Sequence, residues 1–106
     1  MTIDTREFHK LILSYDVDPR QLQEYYQFVM GSYLPMMQKR GIEMTEAWTM
    51  AYGEGPNRQI GFVARDRDTM LDLLESETWA SLNEQLNAFV SDFDYKVVPY
   101  REGFQF

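Results

Sequence analysis

Glu7-Phe8-His9-Lys10-Leu11-Ile12-Leu13-Ser14-Tyr15-Asp16-Val17-Asp18-Pro19 decides the fold, because it runs an apolar segment directly into a helix start. Aromatic, β-branched and leucine residues fill residues 7–16, which therefore read as a strand. Asp18 can accept the free N–H groups of a first helical turn. Pro19 suits the first helical position, where its missing N–H would be unpaired in any case. Both parities of the strand carry apolar side chains: Leu11, Leu13 and Tyr15 share a face with His9, and Phe8 and Ile12 share the other with Lys10 and Ser14. Neither face reads as fully solvated.

Downstream, Leu22, Tyr25, Tyr26, Val29, Met30, Tyr33, Leu34 and Met37 recur at three- and four-residue intervals, a broad helical stripe that runs to Lys39-Arg40. Gly41 is placed to end it, with two cations at the negative helix end. Pro35 interrupts the pattern and predicts a kink near Gly31-Ser32. From Ile42 to Tyr52 the residues alternate, with Met44, Glu46, Trp48, Met50 and Tyr52 on one face and Thr45, Ala47, Thr49 and Ala51 on the other. Gly53-Glu54-Gly55-Pro56-Asn57 is turn chemistry, and residues 58–65 return as a third strand with Ile60, Phe62 and Ala64 on one side.

Asp66-Arg67-Asp68 repeats the helix-start signal, with Asp66 or Asp68 as cap and Met70, Leu71 and Leu74 as the apolar face. Ser76 resets the helix, and Trp79, Leu82, Leu86, Phe89, Val90 and Phe93 are spaced for a further amphipathic stretch. Residues 95–100 read as a fourth strand, with Pro99 at an edge or end.

The order β-α-β-β-α-β with right-handed crossovers is that of an α+β, ferredoxin-like sandwich: a four-stranded antiparallel sheet with both helices on one face. All 106 residues fit one such domain. The second sheet face then keeps apolar residues with no helix to cover them, Trp48 and Met50 among them, which marks an association surface.

Composition narrows the classes of function. The chain has no cysteine, so thiolate nucleophiles, disulfides and cysteine-containing zinc sites are excluded. A cytoplasmic location fits that usage. A net charge of −7 with dispersed cations would repel a phosphate backbone, so nucleic acid is not an expected partner. No apolar run is long enough to span a bilayer, and the first residues carry no signal-peptide pattern, so no membrane association is expected.

Tyr15 before Asp18-Pro19, Leu34-Pro35 with Gly41, Trp48 followed by Gly53, and Ser76-Glu77-Thr78-Trp79 with Leu82 carry a resemblance across residues 8–99. The chain resembles the dimeric α/β-barrel superfamily, most closely its NIPSNAP-like branch, with kinship to the antibiotic biosynthesis monooxygenases. The resemblance implies a homodimer in which two subunits pack sheet against sheet to form an α/β barrel. It also implies a small hydrophobic or aromatic ligand in the barrel and oxygenase or isomerase chemistry that needs no cofactor. Two places depart from the pattern. Leu11-Ile12-Leu13 stands where relatives carry a Glu-Leu-Arg type of stretch, and Ile60-Gly61-Phe62-Val63 lacks a tryptophan.

His9 is the single histidine and the side chain that ordinarily titrates near neutrality. In a barrel it would face the interior as a base. The competing reading is a strand residue near the rim, favoured because no partner for it is identifiable. Tyr15, Trp48 and Tyr52 are candidates to line an aromatic ligand pocket, although packing at a dimer interface would also use them. No metal site is expected from a lone histidine. The alternative to a ligand-binding domain is a noncatalytic homodimeric interaction module.

Overall fold

The computed structural model describes residues 8–49 and 57–100. Met50, Tyr52 and the expected turn at residues 53–56 lie outside the described residues. Strand β1 (Phe8–Val17) leads through a 3₁₀ turn (Pro19–Gln21) into α1 (Leu22–Phe28), a π-helical turn (Val29–Tyr33) and α2 (Leu34–Lys39). Strands β2 (Ile42–Thr49) and β3 (Arg58–Ala64) follow, then α3 (Arg67–Glu75), α4 (Glu77–Leu86) and β4 (Val90–Tyr100). The four strands form one antiparallel sheet in the order β2-β3-β1-β4, with the helices on one face. No helix among the described residues is long and apolar enough to cross a membrane.

Local chemistry sets the helix ends as the sequence predicts. Asp18 accepts the Arg20 backbone N–H at 3.0 Å, Asp66 that of Thr69 at 2.8 Å, and the Ser76 hydroxyl that of Trp79 at 3.1 Å. Gly41 closes α2 with φ of 78°, a conformation that side chains with a Cβ avoid.

Leu11, Leu13, Tyr15 and Val17 lie beneath the helices. With Ile42, Ile60, Phe62 and Ala64 they pack against Tyr25, Val29, Tyr33, Met37, Leu73 and Trp79 to form the core. The opposite face carries Lys10, Ile12, Gly61, Val63 and Val98 in register. Lys10 Nζ donates to Glu46 Oε1 at 2.9 Å across Gly61. A Cβ at Gly61 would approach Lys10 Cε to 2.9 Å, so glycine lets the ion pair lie flat on the sheet. The open face is therefore a mixed one, in which aliphatic residues alternate with charges.

Three sequence expectations are corrected. The first helical stripe counts Leu22, Tyr26 and Met30 as core, yet they are 38%, 45% and 64% exposed. Burial follows the single row Tyr25, Val29, Tyr33 and Met37, and the exposed three form the row beside it. The Leu34 N–H reaches back five residues to the Val29 carbonyl, and the wide turn accommodates Pro35 while rotating the face that follows. Second, the helix expected to reach Phe93 stops at Leu86. The Phe89 N–H bonds the Leu86 carbonyl, and Val90 is already paired with Val17. Third, the β2 register shifts between Met44 and Glu46, where the Thr45 hydroxyl bonds the Gly61 carbonyl at 3.2 Å. Glu43 and Glu46, which strict alternation puts on opposite faces, consequently share the open face, and Met44 joins Ala47 on the helix side.

Candidate functional site

A row of residues crosses three strands at one end of the sheet: Tyr15 of β1 stands opposite Arg58 of β3, and Arg58 opposite Thr49 of β2. Antiparallel partners point to the same side, so all three face α1. On α1, adjacent positions diverge, with Tyr25 buried and Tyr26 exposed, while their rings meet edge to face at 5.1 Å. The Tyr15 and Tyr25 hydroxyls lie 2.7 Å apart, and Tyr15 stacks on Phe93 at 6.2 Å. The Arg58 guanidinium sits 5.8 Å from the Tyr25 ring centre and 5.3 Å from that of Tyr26, and its Nη1 donates to the Thr49 hydroxyl.

Tyr25, Tyr26, Arg58 and Thr49 border a cleft of about 240 Å³ between α1, the π turn and the β2–β3 edge. Val29, Met30, Leu34, Met44, Ala47 and Ile60 give it an apolar lining, with Trp48 at the sheet edge. A larger groove of about 440 Å³ lies between α2 and β2, but among the described residues no cation or tyrosine lines it. The smaller cleft has the combination expected of a small-molecule site: an apolar wall with a few convergent polar groups.

Burial pushes the Tyr15 hydroxyl well above the usual tyrosine range, and the neighbouring Tyr25 adds to it. Burial also raises Tyr25, against the lowering effect of the bond to Tyr15. Both hydroxyls therefore stay protonated at neutral pH, and one donates to the other. Glu46, on the other sheet face, is held below the usual carboxylate range chiefly by the Lys10 hydrogen bond.

Of the four candidates from sequence, Trp48 lies along the edge of this cleft, whereas Tyr15 is buried in the core behind Tyr25 and does not line it. Tyr52 lies outside the described residues. His9 does not face the open sheet side: it pairs with Ala64, on the helix side, and its charge contributes to keeping the Asp66 carboxyl low, after the Thr69 bonds. A base projecting from the open face is thus not supplied by His9. The His9 Nδ1 atom is buried without a hydrogen-bond partner. Among the described residues, no three histidine, aspartate or glutamate side chains are grouped to hold a metal ion. Arg58 and Tyr25 were not legible as site residues, since the cross-strand row that unites them depends on register.

Comparison with solved structures places the architecture. A NIPSNAP family protein from Agrobacterium tumefaciens superposes with a TM-score of 0.65 at 10% identity, over 96% of this chain and 92% of that one. The fold is that of the NIPSNAP-like proteins. A protein from Caulobacter crescentus, provisionally assigned as an antibiotic biosynthesis monooxygenase, matches with a TM-score of 0.66 at 9% identity, over 88% of this chain and 89% of that one. An ethyl tert-butyl ether d (ethd) family protein from Bacillus halodurans gives 0.61 at 12% identity, over 86% and 96%. No family model and no curated protein sequence matches the chain. At these identities the NIPSNAP-like and monooxygenase-like neighbours establish the fold alone.

Proposed function

We propose that the chain is a homodimeric α/β-barrel protein that binds a small aromatic molecule in the cleft beside α1. The observation that carries this reading is the meeting of Arg58, Thr49 and the Tyr25 and Tyr26 rings with an apolar wall. The ligand position differs from that expected from sequence, which set it between the two sheets of the barrel. Here the cleft belongs to each subunit, on the helix side. Sheet-to-sheet association is a separate part of the proposal, supported by the exposed Trp48 with Ile12 and Val98 on a face that no helix covers.

A cofactor-independent oxygenase or isomerase would use the same cleft, where Arg58 and Thr49 are the polar groups that would orient a substrate. The monooxygenase description of the Caulobacter crescentus neighbour supports that extension. Titration calorimetry with 2-naphthamide, a neutral two-ring probe, tests the binding step. Binding to the native chain and its loss in Ala47→Phe, which fills the cleft from the exposed edge strand, is the expected result. Absence of binding of both this probe and its carboxylate counterpart 2-naphthoate to the native chain, or undiminished binding to the folded variant, would refute the cleft reading.

A further inference from the structure

We infer that the ligand of this cleft is a small planar aromatic carboxylate, whose charge is met by the Arg58 guanidinium. The inference rests on the cleft reading above and names its substrate class.

Among the described residues Arg58 is the single charged one lining the cleft; the rest of that lining is aromatic or aliphatic apart from Thr49. Its position at the first residue of β3 and the two tyrosine faces beside it hold the guanidinium at the cleft. One donor is spent on Thr49. A guanidinium carries five N–H donors in a planar fork, so several remain. The ion pairs among the described residues are Lys10 with Glu46 and Arg20 with Asp18, and neither includes Arg58. A half-buried cation bordered by ring faces and aliphatic side chains is costly to leave without a counter-charge.

The nature of that counter-charge follows from elimination. A cationic ligand would suit the faces of Tyr25 and Tyr26 but would be repelled by Arg58. A neutral hydrocarbon would satisfy the wall and leave the guanidinium donors unmet. A carboxylate matches the fork with two parallel hydrogen bonds, and an attached ring occupies the apolar volume. Size sets the scale of that ring system: since a cavity of about 150 Å³ holds benzene, one of about 240 Å³ takes one or two fused rings.

The test compares 2-naphthoate with its neutral counterpart 2-naphthamide on the native chain, Arg58→Lys and Arg58→Gln, by titration calorimetry at neutral pH. The native chain is expected to favour the carboxylate by about tenfold or more. Arg58→Gln should abolish that preference while still binding the amide, and Arg58→Lys should retain part of it because it keeps the charge and loses the fork. Equal affinity of the native chain for both probes would overturn the inference and leave the cleft reading intact. Failure of both probes to bind would overturn both. A preference that survives in Arg58→Gln would move the anion contact elsewhere and equally defeat the assignment. Should Arg58→Gln not fold, the native preference and its reduction in Arg58→Lys decide the matter.

Discussion

Tyr33 joins two helices through one oxygen: its hydroxyl accepts from Trp79 Nε1 at 3.1 Å and donates to Asn83 Oδ1 at 2.6 Å. Burial raises its pKa, with the Trp79 bond acting in the opposite sense, so the structure holds the neutral form. The same is true of Tyr15 and Tyr25, which share a hydrogen bond beneath α1. The folded-state values of all three lie above the ordinary 10.0. Their contribution to stability is thus complete below that pH and is lost as pH rises through the folded values. An alkaline titration followed by tyrosinate absorbance and circular dichroism should show Tyr15, Tyr25 and Tyr33 ionising only in a step that coincides with unfolding. Complete tyrosine ionisation with the dichroism unchanged would contradict this. Burial of these rings was partly legible from the apolar stripe, whereas their pairing was not, because Tyr15 and Tyr25 meet across two elements.

Elements differ in how much of their geometry is local. Helix caps were legible because Asp18, Asp66 and Ser76 act on N–H groups two or three residues away. The π turn and the β2 register shift were not, since each depends on how distant packing accommodates one residue too many. Residues 89–93 misled for a related reason: Phe89, Val90 and Phe93 have helical spacing, but Val90 is held by Val17 and Phe93 by the Tyr15 ring. Two glycines of the α1–α2 segment separate local propensity from backbone need. Gly31 lies within the helical run with nothing within 4 Å of an added Cβ, and Gly41 has equal space but a φ of 78°. Gly31→Ala should therefore stabilise by about 0.5–1 kcal/mol, through the better helix propensity of alanine. Gly41→Ala should destabilise by about 1–2 kcal/mol because it forces a Cβ into a left-handed conformation. Urea denaturation of the two variants checks the opposite signs, and a shift in the same direction for both would defeat the argument.

At the scale of the molecule, the order of elements was enough to give the sheet topology and the fact that the helices cover one side only, because connection rules leave few alternatives. Which parity of β1 lies beneath the helices was not decidable from a strand apolar on both faces. That single choice moved His9 and Tyr15 from an imagined barrel interior to the helix side. It also defines what an association surface has to work with: the exposed Trp48 with Ile12 and Val98, beside the Lys10–Glu46 pair over Gly61. Packing two such faces would bury aliphatic surface while enclosing an ion pair, which is stabilising only where its geometry is kept, so register between subunits matters. Ile12 stands opposite Lys96 and two residues from Lys10 on the same face. Ile12→Lys would therefore replace an aliphatic contact with a third cation in a cluster. In sedimentation experiments the native chain should run as two copies, and Ile12→Lys as a monomer with unchanged far-ultraviolet dichroism, since the substitution faces away from the core. A native chain that sediments as a folded monomer would refute the dimer. A variant that remains dimeric would relocate the contact to another face, with the exposed Tyr26, Met30 and Met44 on the helix side as the next surface to substitute.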